Sequence, residues 1–290
     1  MAAAGLLLLP RGIPGKGFAL LLLLPLAAPP LGRIGPGAIT ATVIDVGQGL
    51  SVLIETAQHR LLYDTGPLFG PERTVAELTA APLLRQRGIA TLDTVIVSHH
   101  DSDHAGGWPD IEREFSVQKL LVGENIGAAR AQFCSAGMQW RWDDVDFEIL
   151  YPAHGDAADT FVGNNRSCVL QISAGNAHIL LTGDIERGAE YVLLDNARLQ
   201  SATLLLAPHH GSRSSSTAAL IERLKPQFVV FSAGYRNRFG HPSAEVEQRY
   251  RASGAILFNT ANDGALTFNF QNGRVVQITR QRSQRLHYWD

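Results

Sequence analysis

Residues 95–107 read VIVSHHDSDHAGG. A short apolar run ends at Val97, five metal-capable side chains follow from His99 to His104, and a glycine pair closes the segment. The apolar run fits a buried strand, and the polar residues fit a turn at its end. Alternate residues on such a turn point the same way, so His99, Asp101 and Asp103 can converge on one point, with His104 beside them. Imidazole nitrogen and carboxylate oxygen are the donors that zinc or manganese takes at ~2.0–2.2 Å. Four ligands this close exceed what one ion with an open position for water accepts, and two adjacent ions are the natural solution.

A paired centre needs donors from elsewhere in the chain, and three more strand ends supply them. HILLTGD places Asp184 after Gly183, where a carboxylate could bridge two ions, and TLLLAPHHGS ends in His209 and His210. LLYDTG ends in Asp64, whose carboxylate could orient the His99 turn from behind. Any one strand-end Asp is equally a turn former or helix cap. Four such ends carrying these ligand types are harder to ascribe to turn chemistry.

The chain is long enough for one large domain or two small ones, and 45% hydrophobic with 18% charged residues describes a packed protein rather than a disordered one. Its charge is uneven: from Gly211 onward there are 11 Lys and Arg against 5 Asp and Glu. That portion suits an anionic partner, although a solvated basic face has the same composition. Cys134 and Cys168 are too few for a disulfide framework and fit no zinc spacing. Cys168, in SCVLQI, reads as a buried core residue, and a Cys134–Cys168 bridge would require an exported domain.

The first residues are unlike the rest. Two apolar runs flank a loop with Arg11 and Lys16, and no acidic residue occurs before Gly32. The second run, Phe18 to Leu31, is shorter than the ~20 residues that cross a bilayer comfortably and is interrupted by prolines. It reads either as a signal peptide or as the end of a membrane domain. Both readings put the positive loop in the cytoplasm and the chain beyond Gly32 outside. We therefore expect residues 1–35 to be a hydrophobic membrane-type segment and linker, and residues 36–290 to be one folded domain.

Within that domain ITATVIDV, SVLIET and HRLLYDTG read as sequential strands, Glu72 to Gln86 as a helix, and VDFEILYP, SCVLQIS and HILLTGD as a second run of strands. Helices are expected at Ile185–Leu194, Ser215–Leu224 and Ser243–Ala252, alternating with TLLLAPHH, QFVVFSAG and AILFNT. GALTFNF and VVQITR come last as final strands. This order suggests an α/β fold of two sheets face to face with helices outside.

The succession DTG, HxDxDH, LTGD and PHHGS resembles the metallo-β-lactamase superfamily, which implies an αββα four-layer sandwich with a metal site at the sheet edge. DVGQG at 45–49, NNRSCVL at 164–170, APHHGSRSSS and FSAGYRNRFGHP at 231–242 further resemble the C-terminal domain of the ComEC family of DNA-internalisation competence proteins. That resemblance covers nearly the whole chain and implies that it is part of a larger protein. It implies DNA as a partner, a membrane-embedded channel domain and an OB-like domain elsewhere in the protein, and an inner-membrane location with this domain on the periplasmic side. It implies no nucleotide cofactor.

The superfamily pattern carries onto this sequence as His99 and Asp101 on a first metal, Asp103 and His104 on a second, Asp184 between them, and His209 completing the second with His210 behind it. Asp101 stands where a histidine is usual, which favours manganese over zinc. Asn164 and Asn165 stand where the third-motif histidine is expected, so the first metal should bind weakly. The resemblance implies a hydrolase with Asp103 and Asp64 at the catalytic centre. Arg236, Arg238 and His241 come after metal-bearing strand ends and suit a phosphodiester, with His241 stabilising the scissile phosphate or protonating the leaving oxygen.

Ser212 and Ser214–Ser216 either bind phosphate or cap the next helix. Asp45 and Gln48 in DVGQG are expected close to the metals, and Trp140 and Trp142 either stack on bases or pack in the core. The reading is a DNA phosphodiesterase acting on the strand that is not imported. A lactonase-like acyl hydrolase and a DNA-binding module with a degenerate metal site are the alternatives.

Overall fold

The computed structural model describes residues 34–70, 73–153 and 162–282. The N-terminal apolar segment lies outside them. Among the described residues no helix is long and apolar enough to cross a membrane.

The strands in chain order are β1 (Ile39–Val43), β2 (Val52–Glu55), β3 (Arg60–Tyr63), β4 (Thr91–Val97), β5 (Ser116–Val122), β6 (Gln132–Phe133), β7 (Gln139–Trp142), β8 (Val145–Tyr151), β9 (Val169–Ala174), β10 (Ala177–Leu181), β11 (Leu204–Leu206), β12 (Phe228–Phe231), β13 (Ile256–Asn259), β14 (Leu266–Gln271) and β15 (Arg274–Arg280). They form two mixed sheets, ordered β15-β14-β1-β2-β3-β4-β5-β6 and β13-β12-β11-β10-β9-β8-β7. The helices are α1 (Val75–Leu78), α2 (Ala80–Gln86), α3 (Ser102–Ala105), α4 (Trp108–Glu114), α5 (Arg187–Leu194), α6 (Ala218–Leu224), α7 (Ala244–Ala252) and α8 (Thr260–Asp263).

Three apolar cores stack these elements into layers. The central one joins facing strands of the two sheets, from Val52, Tyr63 and Phe268 on one side to Phe147, Ile172 and Leu206 on the other. A second packs α1, α2 and α4 on the first sheet, through Ala76, Leu84 and Ile111. The third packs α5, α6 and α7 on the second sheet, through Leu193, Leu220 and Tyr250. Strands covered on both faces lose polar alternation. This explains why TVIV in β4 and LLL in β11 read as unbroken apolar runs. The described part of the domain is thus a helix–sheet–sheet–helix sandwich.

Two local expectations are corrected. The helix expected from Glu72 to Gln86 breaks at Thr79, whose φ of −127° and ψ of −72° are not helical. Pro82 explains the break: it offers no N–H to the Leu78 carbonyl and would crowd it in a continuous helix. The Thr79 N–H and hydroxyl both donate to the Val75 carbonyl, at 3.0 and 2.8 Å, and close the first helix there. Second, Cys168 is a core residue but not a free thiol. It is bonded to Cys134, the two Cα atoms lying 5.8 Å apart. The bridge ties the chain just after β6 in one sheet to the start of β9 in the other.

Candidate metal centre

The strands that end in metal-capable residues are parallel to their neighbours: β3 with β4 in the first sheet, and β10 with β11 and β12 in the second. Parallel strands point their carboxyl ends the same way, and loops leaving those ends gather at one edge. Asp64 follows β3, the His99 turn follows β4, Asp184 follows β10, and His209 and His210 follow β11.

The turn after β4 becomes α3, with Asp101 preceding its first residue. This aims His104 inward, fully buried, while Asp101 stays half exposed. His104 Nδ1 is held by the buried Asp64 carboxylate at 2.7 Å, leaving Nε2 to face the site. Around that Nε2 lie His210 Nε2 at 3.2 Å, Asp184 Oδ1 at 3.1 Å and Asp103 Oδ2 at 4.0 Å. Asp103 and Asp184 in turn approach His210 Nε2 at 3.3 and 3.4 Å. Asp103, His104, Asp184 and His210 therefore form one donor cluster, all four ligand atoms within 4.8 Å of each other.

Several backbone features hold this convergence. Asp64, His209 and His210 have φ of 58°, 48° and 53°, a left-handed conformation uncommon for residues with a Cβ. Glycine is required where chains touch: a Cβ on Gly49, in the DVGQG turn, would come within 2.3 Å of the Asp103 carbonyl. Ser98 joins the ligand turns, donating its N–H to Asp64 Oδ1 at 2.6 Å and its hydroxyl to Asp64 Oδ2 at 2.8 Å. The same hydroxyl lies 3.0 Å from His99 Nδ1.

The electrostatics favour positive charge. Burial would raise the Asp103 carboxyl, but the hydrogen bond to His210 and the charges of His104 and His210 bring it down to about 2. Asp184 is likewise held well below the carboxylate range, against its burial, by His104 and His210. Burial would lower His210, yet the Asp184 charge and its bonds to Asp103 and Asp184 push it up to about 9. Two carboxylates and two imidazoles thus draw either protons or a divalent cation that displaces them.

His99 lies beside this cluster, its ring centroid 4.3 Å from that of His104. Its Nε2 is buried without a hydrogen-bond partner, and the nearest carboxylate oxygen, Asp101 Oδ2, is 3.6 Å away. A buried unpaired nitrogen is costly unless something absent from the protein chain satisfies it. The residues present therefore fit a bound cation.

Other expectations are revised. His210, not His209, enters the cluster; His209 Nδ1 turns to Glu186 at 3.2 Å and its Nε2 lies 3.7 Å from Asp184. Asp64 is fully buried behind His104, so it positions a ligand and cannot touch a substrate; it orients His104 rather than His99 directly. Asp45 pairs with Arg282 at 2.6 Å on a groove beside α2 instead of joining the donor cluster. Gln48 Oε1 accepts from Gly234 N at 3.3 Å, at the start of the loop that follows β12.

Asn164 and Asn165 bond to Ser167 and Glu186. Asn165 Oδ1 accepts from the Glu186 amide at 2.8 Å, and the Asn164 carbonyl holds the Ser167 hydroxyl at 2.7 Å. Ser212 Oγ pairs with Ser214 Oγ at 3.0 Å, while Thr217, not a serine, caps α6. Trp140 and Trp142 pack against the central core, Trp140 stacked on Phe147 at 5.3 Å. Sequence reading missed Ser98, Glu186 and Ser167, whose hydroxyl lies 3.3 Å from His99 Nδ1 and accepts from the Asp184 amide at 3.0 Å, because hydroxyl and carboxyl groups that act through another side chain carry no spacing signal.

A family model described as the metallo-beta-lactamase superfamily matches residues 44–234. The chain belongs to that superfamily. Over its whole length it is 37% identical to Competence protein ComA of Neisseria gonorrhoeae, of which it covers 40%. Over 83% of its length it is 34% identical to Recombination protein 2 of Haemophilus influenzae, of which it covers 30%. The chain thus spans two-fifths or less of the length of these relatives. A solved metallo hydrolase from the archaeon Ignicoccus hospitalis superposes with a TM-score of 0.51 at 17% identity, covering 80% of this chain and 100% of that one. At such identity the likeness shows the fold alone.

Within the superfamily's site, Asp64→Asn tests the positioning role. Losing the negative partner at His104 Nδ1 should weaken metal binding about 10–100-fold. Chelator competition measures this, and unchanged affinity would remove Asp64 from the centre.

Proposed function

We propose that this chain is the metal-dependent hydrolase domain of a ComEC-type DNA-uptake protein, a phosphodiesterase acting on the DNA strand that is not imported. The observation that carries the reading is the convergence of Asp103, His104, Asp184 and His210. In this reading those four residues would hold one divalent cation, and His99 and Asp101 would hold a second more weakly. Zinc and manganese both suit such donors. When bound, paired cations make water a nucleophile near neutral pH and stabilise charge on a phosphoryl oxygen.

The chain's own side chains supply the rest. Arg236 and Arg238 are exposed on the loop that leads to His241. The His241 ring centroid lies 5.5 Å from that of His209. Burial, with the charges of His209 and His210, lowers His241 to about 4. At pH 7 it is therefore a neutral hydrogen-bonding group, suited to orienting a phosphate oxygen rather than to starting as a charged acid.

The name of the relative Competence protein ComA supports a role in competence. DNA, the channel domain and the OB-like domain are the partners proposed. A periplasmic location beside the inner membrane suits the Cys134–Cys168 bridge, because disulfides persist in oxidising compartments.

The test is incubation of the purified chain with single-stranded and duplex DNA plus manganese or zinc. Metal-dependent cleavage that disappears in Asp103→Ala and Asp184→Ala is the expected result. No cleavage by the unaltered chain, or equal cleavage by the variants, would refute the reading. Turnover of lactones in its place would mark an acyl hydrolase.

A further inference from the structure

The loop between β12 and α7 exposes two large aromatic side chains beside the metal centre. Tyr235 is 67% and Phe239 54% exposed. Burying either would remove apolar area from water, so their exposure calls for a reason. The loop is not slack. Asn237 Nδ2 donates to the Gly234 carbonyl at 3.0 Å and to the His241 carbonyl, while Asn237 Oδ1 accepts from His241 N at 3.0 Å. One side chain thereby closes both ends of the loop. At the base, Gly234 N bonds to Gln48 and Ser243 N to the Gly211 carbonyl at 2.9 Å.

The sequence YRNRF is symmetric about that clamp. The Arg236 guanidinium lies 5.2 Å from the Tyr235 ring centroid, and that of Arg238 lies 4.8 Å from the Phe239 centroid. Neither arginine has a carboxylate partner among the described residues. Each ring thus has a cation beside it and remains largely accessible, and each guanidinium keeps N–H groups for an anion. Phe239 stacks on His241 at 5.7 Å and 23°, and His241 on His210 at 6.3 Å and 25°. A continuous run of rings therefore leads from the loop tip to the metal cluster.

Two rings and two cations held rigidly on one loop match one ligand chemistry: planar heterocycles joined by phosphates. Bases in a duplex are stacked on each other, and only unpaired bases can lie on protein rings. We infer that the Tyr235–Phe239 loop is a stacking platform that makes the centre select single-stranded over duplex nucleic acid, with Tyr235 and Phe239 taking bases and Arg236 and Arg238 the adjoining phosphates. The inference rests on the phosphodiester reading of the adjoining centre.

Binding to labelled phosphorothioate strands, which resist cleavage, tests it in the metal-loaded full chain by fluorescence anisotropy. The probes are one single strand, its duplex, and an abasic strand of the same length that keeps the phosphates. The base-bearing single strand should bind about tenfold or more tighter than the abasic one, since each stacked base contributes on the order of 1–3 kcal/mol. The Tyr235→Ser/Phe239→Ser double variant should lose that margin while its affinity for the abasic strand holds. Tyr235→Phe and Phe239→Tyr, which keep the rings, should retain it.

Equal binding of abasic and base-bearing strands, duplex binding as tight as single-strand binding, or parallel loss on both single-stranded probes would overturn the platform. So would binding to anionic lipid vesicles with none to strands. Hydrolysis of a small aryl phosphodiester by the unaltered chain with manganese reports on the metal centre alone. Hydrolysis without strand selectivity would sink the platform and spare the phosphodiesterase reading, and the reverse result would do the opposite.

Discussion

His210→Ala is expected to strip the centre of metal and lower the proposed DNA hydrolysis by about a thousandfold, whereas His209→Ala should lower metal affinity by about tenfold at most. A thousandfold corresponds to about 4 kcal/mol, within what a metal supplies to transition-state charge. The asymmetry follows from geometry. His210 Nε2 lies within 3.4 Å of both Asp103 and Asp184, while His209 spends its Nδ1 on Glu186 and keeps Nε2 3.7 Å from Asp184.

Metal content per chain and titration against a chromophoric chelator would measure both variants. Equal losses, or a larger loss in His209→Ala, would show that the pair is arranged the other way round. Affinity should also fall as the pH drops below about 9. The proton on His210, pushed up to about 9, must leave before its nitrogen can bind a cation, so protons compete more effectively at lower pH.

Reducing the Cys134–Cys168 bridge should cost about 4 kcal/mol of stability, and a Cys134→Ser/Cys168→Ser variant should show the same loss. The 34-residue separation sets this figure through the loop entropy returned to the unfolded chain. For a domain of this size the melting temperature should fall by about 10 °C. Thermal unfolding with and without reductant reads it directly. A reductant-insensitive midpoint would mean that the bridge does not form. The effect should reach the site, because the Cys168 amide bonds to the Ser98 carbonyl at 3.0 Å and Ser98 holds both Asp64 and the His99 ring.

Much of the fold was legible because strands covered on both faces announce themselves as apolar runs. β3, β4, β10 and β12 fall where such runs occur, and β1 and the first half of β8 were legible instead from the alternation of ITATV and VDFE. β5 escaped notice because SVQKLLV begins on an exposed, polar edge and becomes apolar only at its end. The break at Thr79 escaped because periodicity reports which face is apolar, not whether the backbone is continuous; the proline three residues later was the available signal. Asp45 was expected beside the metals from its place in a Gly-rich turn. Its partner Arg282 lies 237 residues away, and no local pattern reports such a pairing.

What the sequence determined by itself was the chemistry of the donors and the order of their strand ends, since residue type and hydrophobic period are local properties. Asp103, His104 and Asp184 could be named from it. The tertiary structure alone decided which of two adjacent histidines faces the cluster. Both occupy left-handed backbone at consecutive positions, and their rings diverge by 69°. That choice depends on Glu186 and Ser214 drawing His209 aside while Asp184 and Asp103 meet His210; the first three follow neighbouring strands of the second sheet, and only the Asp103 contact forms when the two sheets face one another. Asp64 took its role in the same way: burial behind His104 turned an acidic strand end into the support of a ligand.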